Sequence, residues 1–399
     1  MRFSNLKAKI IFFYTIFIFP PKQWKLPKKS QILVYESVGL EALEEYLVKY
    51  SFEVIPLRGE HVNVPCLLIS TLKKSFWKGN PIQAYVDTFI QIVSPKIVIT
   101  FIDNNAAFYT ISNRFPDIKT IFLQNGLRSK LGDIFGALVK SDTYHVDYML
   151  VHGEAIGRLY RDYISGEVIA VGSLKNNKRV GAAGATTNSI LFISQYHEKP
   201  KEGMPFWTEP DGTKILWEQF FAAEIQLLKI LGKWCEKNNR LLKICGRETE
   251  EIGTERLFYA ENLSGFNWEY IPMSYMHSSY ELVDVSDIVV SIDSTLGYEA
   301  LGRGKKTAIF PCRGKYLNNE DTKFGWPAAF PENGPFWSNW ADAIQTQRVM
   351  DYLNMVSSNE WNEIRQPYTD EIMKYDPGNT RFVELLKQLL PKSESFNHA

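Results

Sequence analysis

Cysteine is scarce: four residues in 399, Cys66, Cys235, Cys245 and Cys312. None of them makes a CxxC pair or a zinc spacing, so they read as reduced core thiols of a cytosolic protein rather than a disulfide framework or a structural metal site. Net charge is absent too, 45 basic residues balancing 45 acidic ones, which removes the global field that gathers nucleic acid. No Asp-x-Asp follows a predicted strand and no His-x-x-x-His occurs. The GxGxxG fingerprint and the Gly-x-x-x-x-Gly-Lys-Ser/Thr loop are missing as well, which disfavours a dinucleotide oxidoreductase and a P-loop kinase. Internal repeats and low-complexity tracts are not found. With 45% hydrophobic and 23% charged residues, the chain is composed to bury ordinary cores, and its length suggests two or three domains.

Acid is missing from residues 1–30, which carry Arg2, Lys7, Lys9, Lys22, Lys25, Lys28 and Lys29. The apolar run Ile10–Phe19 inside that segment falls short of the roughly 20 residues a spanning helix needs. A signal peptide is a poor match, because Pro20-Pro21 and a basic stretch follow the run instead of a small-residue cleavage site. Two readings stay open: a cationic, aromatic segment lying in the interface of an anionic membrane, or an extra strand or packed arm.

From residue 31 onward, short β-like runs alternate with helical ones, the signature of an α/β architecture. Strands are predicted at Ile32–Tyr35, Phe52–Leu57, Lys96–Phe101, Thr120–Leu123, Val146–Val151 and Val168–Val171. Their near-continuous apolar character implies parallel sheets covered on both faces. The small, polar and basic stretch 174–188 is the expected linker. A second series follows at Ser189–Ser194, Leu241–Cys245, Trp268–Ile271, Asp287–Ile292 and Thr307–Phe310. A long amphipathic helix is predicted around Lys214–Lys237, and helices at Asp342–Met355 and Thr380–Leu390. The expectation is two doubly wound Rossmann-like domains facing a cleft, residues 31–173 and 189–375, with a C-terminal helix and tail at 376–399.

Ligands of open α/β sheets bind beyond the carboxyl ends of the strands. The most informative strand end is Asp287-Ile-Val-Val-Ser-Ile-Asp-Ser-Thr-Leu-Gly-Tyr-Glu299, read as strand, tight turn and short helix. Asp293, Ser294 and Thr295 fall at the helix start, where free amides and the positive dipole end favour a phosphate. Gly297 is expected to let a ligand approach that turn. Glu299, one turn in and sharing the face of Thr295, is expected to accept hydrogen bonds from a ribose diol. A capping box is the rival explanation, but it needs an interval of three residues, not four or five. Ser194 and His197 follow the first strand of the second half. Arg247 follows Leu241–Cys245 and is placed to contact phosphate, or to pair with Glu248 or Glu250 at the surface.

In the first half, Arg58 and Glu60, then Asp103, Asn104 and Asn105, then Gln124, Asn125 and Arg128, follow three successive strands. Amides and carboxylates at three strand ends suit a hydroxyl-rich acceptor, with Asp103 or Glu60 as general base. Plain turn chemistry accounts equally well for Asn125-Gly126.

Three segments carry a family resemblance: Ile99–Asn105, Phe115–Arg128 and Val171–Asn177. They resemble the bacterial surface carbohydrate biosynthesis proteins, in patches across residues 31–310, while Ser291–Leu301 is similar to the donor-site turn of GT-B glycosyltransferases. The resemblance implies a GT-B fold and transfer from a nucleotide sugar to a lipid-linked or growing glycan acceptor in capsule or lipopolysaccharide O-antigen synthesis. On it Ser294, Thr295 and Glu299 hold the donor, Arg247 contacts phosphate, and Asp103, Asn104, Asn105, Gln124 and Asn125 face them across the cleft. No cofactor, metal or nucleic-acid partner is expected, and the implied location is the cytoplasm, peripheral to the inner membrane if residues 1–30 touch it. A nucleotide-sugar epimerase of the same fold and a non-catalytic scaffold are the alternatives.

Overall fold

The computed structural model describes residues 18–130, 133–137, 140–178, 187–209, 211–250, 253–275, 277–315, 317 and 320–390. The expectations for residues 1–17, and for most of the proposed linker, lie outside that set.

Two parallel sheets organise the chain. The first uses β1 (Ile32–Tyr35), β2 (Phe52–Ile55), β3 (Ile97–Thr100), β4 (Lys119–Leu123), β5 (His145–Val151) and β6 (Ser165–Ala170) in the order β2-β1-β3-β4-β5-β6. The second uses β7 (Ser189–Ile193), β8 (Leu241–Cys245), β9 (Trp268–Ile271), β10 (Ile288–Ser291), β11 (Lys306–Ile309), β12 (Asn333–Gly334) and β13 (Trp337–Ser338) in the order β9-β8-β7-β10-β11-β13-β12, parallel except for its last pair. The strands are apolar on both faces because both faces are covered. Ile32 and Val34 pack on one side of the first sheet, Leu33 and Tyr35 on the other, as the two-residue strand period requires.

Helices of the first half include α1 (Leu40–Leu47), α2 (Val64–Thr71), α3 (Lys74–Lys78), α4 (Pro81–Val93) and α5 (Glu154–Arg161). The second half carries α6 (Trp217–Lys237), α7 (Ser278–Val285), α8 (Thr295–Gly302), α9 (Ala343–Met355), α10 (Ser358–Ile372) and α11 (Thr380–Leu389). The long helix starts later than expected, because Lys214–Ile215 pairs with Trp207–Thr208 as a short antiparallel ribbon. Pairing of Lys22–Gln23 with Val62–Asn63 makes a further small parallel ribbon. Among the described residues no helix is long and apolar enough to cross a membrane.

The chain crosses back at its end. Phe382, Leu385 and Leu386 of α11 pack with Ile32, Val34, Ile97 and Ile99 of the first sheet. Beside this return, the expected linker is partly ordered: Leu174–Asn177 is helical, and Asn176 and Asn177 are fully buried. Asn177 Nδ2 donates to Asn379 Oδ1 (2.9 Å) and Asn176 Nδ2 to the carbonyl of Glu299 (3.0 Å). These amides order the first residues of the stretch read as a linker, each buried donor finding an acceptor.

Candidate functional site

The carboxyl ends of β7, β8, β10 and β11 open on a cleft between the two sheets. One lobe, of about 590 Å³, is lined by Ser194, Gln195, His197, Arg247, Ser294 and Thr295 among others. A second lobe of about 260 Å³ is lined by Trp207, Phe220, Tyr298, Trp326, Arg128 and Asp321 among others. Leu127 and Asp293 line both lobes, so the two cavities adjoin and Asp293 stands between them.

Helix α8 points its start into the larger lobe. Ser294 is its N-cap in extended conformation and makes no side-chain capping bond, so the first-turn amides are not closed off by their own cap. Leu127 N donates to Thr295 Oγ1 (3.2 Å), a direct contact between the two halves at the cleft. Arg247 sends Nη1 to the carbonyl of Tyr196 and to His197 Nε2, both at 3.0 Å. Burial, then the Arg247 and Arg313 charges, push the His197 imidazole below its usual range, consistent with a neutral ring accepting from Arg247.

Behind Asp293 lies a charged network absent from the sequence expectations. Arg313 donates from Nη1 to Asp293 Oδ1 (3.0 Å) and to Gln195 Oε1 (3.3 Å), and from Nη2 to Glu224 Oε2 (3.2 Å). Its guanidinium stands over the Phe220 ring, 4.6 Å from the centroid. Glu224 is fully buried, and burial pushes its carboxyl up to about 6 against the pull of Arg313. Tyr259, buried alongside, donates to Ser194 Oγ at 2.7 Å. Both key residues carried a readable signal. Arg313 follows a predicted strand, and Glu224 sits on the apolar stripe of α6, four residues from Phe220 and three from Leu227.

Ser194, Arg247, Asp293, Ser294 and Thr295 all line the larger lobe. Gly297 does not serve ligand approach: a Cβ there would lie 2.3 Å from Ser291 Cβ, so the missing side chain lets α8 lie on β10. Gly297→Ala should therefore destabilise the protein by about 1–3 kcal/mol by overpacking, read as a shift in urea midpoint, and Ser291→Gly should restore most of it. A stable Gly297→Ala protein would reinstate the ligand-facing explanation.

Glu299 is also corrected. It is buried, Tyr280 Oη donates to its Oε2 (2.7 Å), and the Ser173 hydroxyl donates to its Oε1. Burial raises its carboxyl above the usual range. Four residues along a helix is a rise of about 6 Å, and at that depth the neighbour is the crossover segment, not the cavity.

Asp103 is 0% exposed and cannot take a proton from a ligand hydroxyl. Arg128 Nε donates to its Oδ2 (2.7 Å), Asn125 N to its Oδ1 (3.1 Å), and the Tyr160 hydroxyl also donates to Oδ2. Gln124 is buried, its Nε2 donating to the Gly126 carbonyl (2.8 Å) and its Oε1 accepting from His152 N (2.9 Å). Arg58 Nε and Asn105 Nδ2 converge on buried Glu36, each at 2.7 Å. Glu60 accepts from the Arg58 amide (2.9 Å) and the Ser37 hydroxyl, and Asn104 Nδ2 donates to Asp133 (3.2 Å). The three polar strand ends thus satisfy one another. Among the described first-half residues, Leu127, Arg128 and Ser129 line the two lobes.

No group of three or more His, Cys, Asp or Glu residues able to hold a metal ion occurs among the described residues. The four cysteines are buried and unpaired.

Residues 121–390 match the family model described as "putative O-antigen biosynthesis protein". No curated protein sequence matches the chain. Among solved structures, a "putative UDP-N-acetylglucosamine 2-epimerase" from Listeria monocytogenes superposes with TM-score 0.53 at 10% identity, covering 92% of this chain and 98% of the other. The UDP-GlcNAc 2-epimerase from Neisseria meningitidis bound to UDP-GlcNAc gives TM-score 0.51 at 11% identity, with 91% and 99% covered. A glycosyltransferase from Rickettsia africae gives 0.49 at 12% identity, with 94% and 100% covered. The architecture shared with the two epimerase structures is that of GT-B: two Rossmann-like domains facing a cleft.

Proposed function

This chain belongs to the O-antigen biosynthesis family whose model it matches, and from that premise we propose that it is a glycosyltransferase acting on a nucleotide sugar. The observation carrying this reading is the division of the cleft at Asp293. On one side, the uncapped start of α8 and Arg247 offer amides and a guanidinium to a diphosphate. On the other, Trp207 and Trp326 offer flat apolar faces beside Arg128 and Asp321, the mixture of surfaces a sugar ring uses. A donor in the first lobe and a glycan acceptor in the second meet at Asp293. Asp293 is then the candidate general base for the acceptor hydroxyl, taking the role expected of Asp103 and Glu60. Helix dipole and Arg247 stabilise the departing phosphate without requiring a metal.

Calorimetry with UDP, GDP, CDP and CMP, followed by turnover of the matching nucleotide sugar with and without glycan acceptor, tests the reading. Transfer that requires acceptor is the expected result. An epimerised sugar formed without acceptor would move the protein to the epimerases of this fold, and no nucleotide affinity would make it a scaffold. Arg247→Ala is expected to weaken the bound nucleoside diphosphate by about 1.5–3 kcal/mol, the range for a charge-assisted hydrogen bond. Because Arg247 is exposed, its unfolding midpoint should stay put, and unchanged affinity would remove it from the site.

A further inference from the structure

The first half carries an apolar surface on the side chains of α2 and α3, away from the residues that line the cleft. Helix α2 buries Cys66 and Ser70, four residues apart, against the domain. The opposite side carries Leu68, Ile69 and Leu72, of which Leu72 is 86% exposed. A helix apolar on both sides belongs in a core or in contact with lipid. The next helix adds Trp77, 71% exposed, whose indole Nε1 donates to the Thr71 carbonyl (2.7 Å) and so holds the ring beside the end of α2.

A second exposed set, Trp24 and Leu26, is tied to the start of α2. Asn63 caps that helix by accepting from Cys66 N (3.0 Å), and its Nδ2 donates to the Lys25 carbonyl (2.7 Å) and Gln23 Oε1 (3.3 Å).

Along the sequence, the charge beside these residues is mostly of one sign. Lys73, Lys74 and Lys78 flank Leu72 and Trp77, Lys22 and Lys25 flank Trp24, and residues 61–86 contain no Asp or Glu. The acids bordering that stretch are engaged elsewhere: Glu60 accepts from the Arg58 amide and Asp87 from Arg114 Nε (2.9 Å). Exposed leucine and tryptophan with lysines and no acid is the composition of a surface that lies in the headgroup region of an anionic bilayer, with tryptophan at interface depth.

We propose that the α2–α3 surface, with the Trp24–Leu26 segment beside it, docks the protein on an anionic membrane. The inference does not rest on the transferase reading, because it concerns residues that are not among those lining the two lobes and is read out without substrate.

Co-sedimentation of the full chain with vesicles tests it, using phosphatidylcholine alone and a phosphatidylcholine–phosphatidylglycerol mixture. The wild-type chain should pellet with the anionic vesicles, be released by salt, and stay in solution with the neutral ones. Two variants separate the components: Leu72→Ser/Trp77→Ser for the apolar part, and Lys73→Glu/Lys74→Glu/Lys78→Glu for the charge. Each should lower partitioning by more than about tenfold, with circular dichroism unchanged because the substituted positions are at the surface. Wild-type partitioning in both variants, or equal binding to neutral vesicles, overturns the proposal. So does a wild-type dimer that the variants convert to monomer in light scattering, since the patch would then be an interface between two copies.

Discussion

Asp103→Ala is expected to lose about 3–5 kcal/mol of stability, the range for breaking a buried ion pair by removing one partner. Asp103 is fully buried and the Arg128 side chain only 8% exposed. Without Asp103, the guanidinium keeps Asp133 at 3.2 Å but loses the carboxylate that takes its Nε and Nη2. The Tyr160 hydroxyl and the Asn125 amide lose an acceptor in the same step. An unpaired buried donor costs its full desolvation, which makes one deletion worth several bonds. Urea unfolding followed by circular dichroism reads the loss. A general base would behave differently: its removal would stop turnover while leaving the unfolding midpoint in place. That outcome would restore the catalytic assignment.

Removal of Arg313 should have a comparable effect, with a pH dependence that identifies its origin. Arg313→Ala leaves Glu224 fully buried without its cation, and a loss of about 3–5 kcal/mol is expected near neutral pH. Glu224 already has its folded-state value raised from 4.5 to about 6, by burial first, with Arg313 opposing. A carboxyl raised on folding favours the folded state fully below its unfolded value, and that contribution is lost as pH rises through the folded value. Deleting Arg313 removes the opposing attraction, so the folded value climbs further and the loss extends to higher pH. The stability gap between wild type and variant should therefore be small near pH 4.5 and widest above pH 7. Glu224→Gln in the Arg313→Ala background should flatten that dependence. A gap that does not change with pH would mean that packing against Phe220, not charge, is what Arg313 contributes.

The same substitution bears on function. Arg313 ties Asp293 to Gln195 and Glu224, hence the α8 turn to the end of β7 and to the long helix. Freed from Arg313, Asp293 is left at the junction of the two lobes without a fixed orientation.

Several features were legible from residue order alone because they are local. Apolar runs of strand length, helical spacing along α6, and the turn chemistry of Asp293–Thr295 depend on near neighbours. The strand-end rule then placed Ser194, Arg247, Asp293, Ser294 and Thr295 beside one cavity, since parallel strands deliver their carboxyl ends to one edge. Which side of a helix meets the cavity was not legible in the same way. Glu299 has the residue type and helical position of a ligand contact, yet the crossover segment reaches it first with Ser173 and Asn176, 126 and 123 residues away in the chain. Gly297 serves packing against Ser291, a choice visible only once α8 lies on β10.

Asp103 and Arg128 make the same point with charge. Each alone reads as a polar strand-end residue open to a substrate, and their pairing across 25 residues buries Asp103 and ties Arg128 down at the edge of the smaller lobe. Residue order thus determined the two parallel sheets, the strand ends that border the cleft and the turn that opens α8 there. Tertiary structure alone decided which polar groups there remain available, because a buried carboxylate takes the nearest donor that folding supplies, and that donor is set by packing rather than by sequence distance.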